Sequence, residues 1–343
     1  MNAGMRRIDA GRATPGRTLL VCGVLLFLLV VVLVMASMIG SQRLPLAASL
    51  CALTGKSDCG LSSEQRAILL DLRLPRVLLA GAVGACLAAA GAGYQALLRN
   101  PLAEPYLLGV SNGAAVGTMT ALVFFGAHEW SRPVLAFAGA LAATFIVYRL
   151  ARGRAGATPE RLILAGIIVT TFLSSAIVFL TTLMDATRIR SFTFWLLGDL
   201  SGATSRSLYV ASIAAVVGVG ILILSARSLN LMMLGERDAF DLGVEVGRVR
   251  LTVFLAASLL VGASVAASGS VGYVGLVVPH LVRLSFGSDN RLVIPGAALA
   301  GASFVIVADV LSRTLIAPRE LPVGAITALI GAPLFIYLLR KGR

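Results

Sequence analysis

The chain has 343 residues, 58% of them hydrophobic and 13% charged, with a mean hydropathy of +0.92. Soluble domains run about 45–50% apolar and about 25% charged, so the composition excludes a soluble globular protein and points to a polytopic membrane protein. The net charge of +13 is nearly all arginine; in an apolar chain such basic loops fix topology by staying inside, so membrane lipid is expected as a partner and nucleic acid is not.

Residues 1–17 carry Arg6, Arg7, Arg12 and Arg17 with Pro15 and several glycines, a basic cytoplasmic tail. Leu19 to Ile39 is about 21 apolar residues, enough to span a bilayer and too long for a signal-peptide core. Residues 40–72 form the longest polar loop, expected outside (periplasmic); Cys51 and Cys59 in it can form a disulfide if that side is oxidising. Leu72 to Leu97, rich in Ala and Gly, returns inward and ends at Arg99–Asn100–Pro101. Leu107 to Phe125 goes out, and Pro133 to Leu150 comes back to the arginine-rich loop 151–161.

Leu162 to Met184 goes out; Thr170, Thr171, Ser174 and Ser175 recur at four-residue spacing, read as one weakly polar helix face and a candidate pathway wall, or as hydroxyls bonded back to their own helix. Residues 185–205 read as an irregular outer segment with a short helix at Phe192 to Leu196. Leu208 to Leu224 comes in. Residues 225–250 are charged, with glycines at 235 and 243 and apolar residues at Leu231, Leu234, Phe240 and Leu242; they are read as two short amphipathic helices on the cytoplasmic face. Leu251 to Ala267 goes out. Val271 to Gly287 carries three glycines, Pro279, His280 and Arg283, which predicts a short, broken membrane helix. Leu292 to Leu311 and Ala325 to Leu339 complete the chain. The fold expected is all-α, a single permease domain over 1–343 with about ten transmembrane helices and both termini cytoplasmic.

No nucleophile, base and metal-ligand set suggests catalysis, and the two histidines and scattered cysteines have no metal-site spacing. Gly55–Lys56–Ser57 looks like the end of a phosphate loop, but Leu50 stands where its first glycine belongs, so this chain does not hold ATP that way. Arg73 and Arg76 flank Pro75 outside, against the inside rule, and Arg313 sits outside at the end of the ninth span. They are read as a cationic docking surface for an acidic partner, or as local pairs such as Asp309 with Arg313. Asn100 and Leu102 lie where a span breaks, a candidate constriction. His280, beside a proline, is read as a packing residue.

RLPR (Arg73 to Arg76), RNPLAEP with LLGVSNGA, LGERDAFDLG, VGLVVPHLVR, PGAALAGASF, ADVLSR, and ELPVG with GAPLF together resemble the permease subunits of bacterial ABC importers for iron chelates and vitamin B12, over roughly residues 65–340 in the same order. The resemblance implies a homodimer with a path along its axis, two ATPase subunits below that bind ATP and Mg, and a periplasmic binding protein above. It implies that Leu234, Gly235, Glu236, Ala239, Leu242 and Gly243 belong to coupling helices in the ATPase cleft. It further implies that Arg73, Arg76 and Arg313 receive acidic residues of the binding protein, and that Asn100 and Leu102 form the cytoplasmic gate. The cargo would be a ferric siderophore, haem or cobalamin, moved unchanged. The competing reading is an ion-coupled secondary transporter, which would want ionisable residues at mid-membrane; nearly every charge here falls at a helix end.

Overall fold

The computed structural model of the chain describes residues 14–40, 45–56, 59–125, 130–153 and 156–341. Most of the basic tail, with Arg6, Arg7 and Arg12, lies outside the described residues. Helix α1 is Pro15–Met38, α2 Leu46–Leu53, α3 Ser63–Leu97 and α4 Val110–Phe125. Then come α5 Ser131–Ala151, α6 Pro159–Thr181, α7 Ala186–Leu196, α8 Ser205–Leu234 and α9 Glu236–Asp241. The chain ends with α10 Val246–Ser268, α11 Val274–Phe286, α12 Asn290–Thr314 and α13 Val323–Lys341. Among the described residues seven helices are long and apolar enough to cross a membrane, and three shorter apolar ones stand at the other expected spans. A two-stranded hairpin, Arg152–Gly153 with Gly156–Ala157, joins α5 to α6.

Helix α3 is the hub. It packs on α12, α8, α10 and α11, while α4, α5 and α6 form a second group joined to it through α10. Its small residues allow this. At Gly84 a methyl group would overlap the Gly301 carbonyl of α12, and at Gly91 it would overlap the Gly275 carbonyl of α11. Lipid tails are as apolar as the helices, so association must come from close packing rather than from expulsion of water. Tyr94 of α3 adds a buried hydroxyl contact of 2.6 Å to Ser258 of α10 and stands edge-on to Phe254. Helix α1 presents most of its apolar surface outward, Leu19 and Phe27 being more than 70% exposed.

Three expectations change. The 40–72 segment is not a plain loop: it contains α2 and the first turns of α3. A capping box starts α3 early, Ser62 Oγ accepting from Gln65 N–H and Gln65 Oε1 from Ser62 N–H, each at 3.1 Å. Pro75 lies inside α3. It is absorbed by a π-helical turn at Ile68–Arg73, which makes room where the proline ring would meet the carbonyl four residues back. Cys51 and Cys59 are disulfide-bonded, their Cα atoms 5.6 Å apart. In 185–205 the helix is longer than expected, beginning at Ala186 because Asp185 caps it through Arg188 N–H at 2.9 Å. In 225–250 there is one short helix, not two: nothing breaks α8 before Gly235, whose φ of +151° turns the chain.

The backbone contacts of α3 predict a contrast among glycines. Gly84→Ala or Gly91→Ala should lower the melting temperature of the detergent-solubilised protein, as overpacking by ~1–3 kcal/mol would. Gly220→Ala in α8, where nothing lies within 4 Å of the added carbon, should be neutral or stabilising by ~0.5–1 kcal/mol. Equal effects at all three positions would contradict this account.

Candidate functional site

Two faces of the bundle carry its charge. On the first, the chain leaves α8 at Leu234, turns at Gly235, forms α9 and ends it at Gly243, with φ of +84°. Ala239 is fully buried and seats α9 on the bundle, whereas Leu234, Phe240 and Leu242 are 69%, 71% and 62% exposed. Glu236 Oε1 faces two arginines: buried Arg250 of α10 at 2.5 Å and Arg99, just past α3, at 3.4 Å. Arg250 also donates to the Ala157 carbonyl of the hairpin. Beside α9 is a cleft of about 670 Å³ between Tyr148, Arg152, Phe240 and Arg250.

The α3–α4 connection lies next to this helix. Asn100 Oδ1 accepts from Leu102 N–H at 2.9 Å, and the Asn100 carbonyl from Ala103 N–H at 3.1 Å. Asn100 therefore folds the turn, and Leu102 is 47% exposed at its tip. Further on, Glu104 Oε1 accepts from Tyr273 N–H at 3.2 Å, and Tyr106 exchanges hydrogen bonds with the backbone of Val271 at 2.8 and 2.9 Å. Arg99, Glu104, Tyr106 and Arg250 were not among the expected site residues. Their signal in the sequence was polarity inside apolar stretches, which does not tell a partner's identity.

On the opposite face, Arg73, Arg76 and Arg313 come together, but as a packed cluster and not as an open cationic surface. Arg76 pairs with Asp309 at 2.9 Å and with Glu320 at 2.8 Å, and Arg313 pairs with Asp309 at 3.0 Å. Arg73 donates to the Met38 carbonyl, and Arg313 to those of Ala36 and Ile39. Arg73 and Arg313 are 6% and 8% exposed. The end of α1 leaves carbonyls without helical partners, and the guanidinium groups satisfy them. The local-pair reading of Asp309 with Arg313 is what the structure shows.

The four hydroxyls of α6 lie within an arc of about 140°, at about 100° per residue, and divide into two pairs by partner. Ser174 Oγ and the Thr170 carbonyl accept from Asn112 of α4 at 2.8 and 3.1 Å. Thr171 and Ser175 are exposed and donate to the carbonyls of Ile167 and Thr171. His280 lies edge-on to Phe335, ring centres 6.0 Å apart, in a packing role. On the α9 face, Asp289 just before α12 accepts from Arg291 and Asn230. Burial alone would raise its carboxyl, but these bonds outweigh that and hold it down to about 2. Its contribution is complete above the ordinary value of about 4 and is lost as pH falls from there towards 2. Among the described residues no three His, Cys, Asp or Glu side chains converge as metal ligands.

The family model of the FecCD transport family matches residues 28–341. The hemin transport system permease protein HmuU of Yersinia pestis is 44% identical over 281 residues, 80% of this chain and 84% of that one. The cobalamin import system permease protein BtuC of Halobacterium salinarum is 40% identical over 300 residues, 88% of this chain and 80% of that one. A solved structure described as an inward-facing conformation of a metal-chelate type ABC transporter superposes with a TM-score of 0.83 at 31% identity, covering 93% of this chain and 98% of that one.

The arginine cluster predicts unequal consequences for its two carboxylates. Asp309→Ala strands the guanidinium groups of Arg76 and Arg313 and should destabilise the protein by ~3–5 kcal/mol. Glu320→Ala, at a side chain 45% exposed, should change stability by less than ~1 kcal/mol. Thermal unfolding in detergent measures both, and similar losses would refute the assignment of Asp309 as the buried node.

Proposed function

The chain belongs to the FecCD transport family, and on that premise we propose that it is the permease subunit of an ATP-driven importer that moves a metal chelate of the haem, ferric siderophore or cobalamin class. It is a multi-pass membrane protein of a transport family. The cargo class follows the names of its relatives, two of which are permeases for haem and for cobalamin.

The observation that carries the reading is α9. A short charged helix stands on the membrane face between two long spans, with Leu234, Phe240 and Leu242 turned out to solvent. An exposed apolar patch rimmed by charge is the signature of a docking surface. Here it fits the cleft of an ATPase subunit, which would hold ATP and Mg, so this chain performs no hydrolysis itself. Leu234, Gly235, Glu236, Leu242 and Gly243 make the coupling element, and Ala239 anchors it. The α9 face is then cytoplasmic, as are both termini, and the membrane is the bacterial inner membrane. The disulfide on the other face supports an oxidising periplasm there.

Two copies of the chain would form the path along their common axis, with Asn100 and Leu102 at its cytoplasmic gate. Thr171 and Ser175 remain exposed candidates for its wall, and Thr170 and Ser174 support them from the α4 side. The periplasmic binding protein docks on the arginine face. There Arg76 is the reachable cation, its side chain 12% exposed; Arg73 and Arg313 hold the rim behind it. An acidic side chain of the binding protein would take the place of Glu320 on Arg76.

Reconstitution tests this. Proteoliposomes with the ATPase partner, ATP inside and the binding protein outside would be offered radiolabelled haem, cobalamin and a ferric siderophore. Accumulation of one, dependent on ATP, is expected; uptake driven by a proton or sodium gradient without ATP would instead mark an ion-coupled transporter. Replacing Glu236 to Asp241 with a Gly/Ser linker should leave hydrolysis without uptake, and normal uptake would remove α9 from its role.

A further inference from the structure

Among the described residues only two that are not glycine have a positive φ: Arg99 at +50° and Tyr273 at +66°. Side chains disfavour this conformation, so its presence needs a compensating contact. Both residues have one, and in each case it is a glutamate. Arg99 reaches Glu236 of α9 at 3.4 Å. The Tyr273 N–H is taken by Glu104 at 3.2 Å. The loop that starts at Arg99 reaches the second strained point through Glu104.

Arg99 ends α3 in a motif that normally takes glycine. Its N–H bonds the Ala96 carbonyl and the next N–H, of Asn100, bonds the Gln95 carbonyl, the paired pattern of a left-handed helix terminus. Glycine would fit there without strain, and what the arginine adds is its reach to Glu236. From Arg99 the loop is stiffened by its own hydrogen bonds, Ala103 N–H to Asn100 and Leu107 N–H to Glu104. It then holds the start of α11 in three ways. Glu104 accepts from Tyr273, Tyr106 binds Val271, and the Pro105 ring fills the space a Gly275 side chain would occupy.

The two contacts of Glu236 differ in kind. Arg250 is 4% exposed, close to the carboxylate and also bound to the hairpin; it is a fixed anchor. Arg99 is 39% exposed and more distant, so its pair can open or shorten when α9 shifts.

We infer that Arg99 and Glu104 are positioning residues that make the 99–108 loop a mechanical link, passing movement of α9 to the candidate gate at Asn100 and Leu102 and to the first turn of the short helix α11. This rests on the reading of α9 as the coupling element.

The test uses the full complex with its ATPase partner in nanodiscs. Hydrogen exchange over residues 273–278 is compared with and without ATP plus vanadate, alongside hydrolysis and melting temperature. Arg99→Gly and Arg99→Asn both suit a positive φ. With either, the complex should assemble, melt no lower than the unmodified one and hydrolyse ATP. The nucleotide-dependent change in exchange should shrink at least about fivefold, the lower range for coupling between sites. Glu104→Ala should act likewise, and Glu104→Gln, which keeps an acceptor for Tyr273, should stay near normal. An undiminished exchange response in the Arg99 variants overturns the link, as does failure of both to assemble, which would make the ion pair a brace of the fold. The Gly/Ser replacement of α9 separates the two ideas. If it too leaves the response intact, α9 is not the coupling element; if it abolishes a response that Arg99→Gly preserves, only the link is wrong.

Discussion

Backbone meets backbone at Gly84 and Gly301, and again at Gly91 and Gly275, and the arrangement of the bundle follows from those two contacts. In lipid there is little gain from hiding one apolar helix against another. What holds α3 to α12 and α11 is the number of atoms that can touch, and that number depends on side chains being absent. Once the approach is fixed, the positions of α8 and α10 around α3 follow. Many bulky apolar residues away from those contacts are left pointing outward, Leu19 and Phe27 among them.

The same close packing leaves no place for charge inside, and the charged groups sit at the two ends of α3. At one end the helix begins beside Arg73 and Arg76, in a cluster that also satisfies the open carbonyls of α1. At the other it ends at Arg99, on the carboxylate of Glu236. A single helix of 35 residues therefore runs from the face proposed to receive the binding protein to the face proposed to receive the ATPase. The first end is densely paired and buried. The second is partly exposed and strained, which suits an end that has to move.

Much of this was legible in the sequence. The ten apolar segments, the shortness of the helix between Val271 and Gly287, the exposed character of 234–243 and the resemblance to the importer permeases all rest on local patterns, although the break expected in that helix is absent, α11 running uninterrupted through Pro279. Runs of apolar residues, glycine and proline placement and the sign of loop charge act over a few residues, and one chain displays them directly. Where local chemistry competed, the reading slipped. Residues 40–72 looked like a loop, but their last residues already form the first turns of α3, and Leu224 looked like the end of a span that continues to Leu234.

Partnership was not legible. Whether Arg73 and Arg313 face a partner or the ends of α1, whether Glu236 meets Arg99 or solvent, and whether Glu104 caps a helix more than 160 residues away depend on where distant segments come to rest. Composition and periodicity determined that this chain lives in a membrane as a bundle of short-looped helices, because hydrophobic length and backbone satisfaction in lipid are properties of each segment alone. Only the tertiary structure decided which charges are spent on holding the fold and which stay available, because a side chain's partner is set by the packing of helices far apart in the chain.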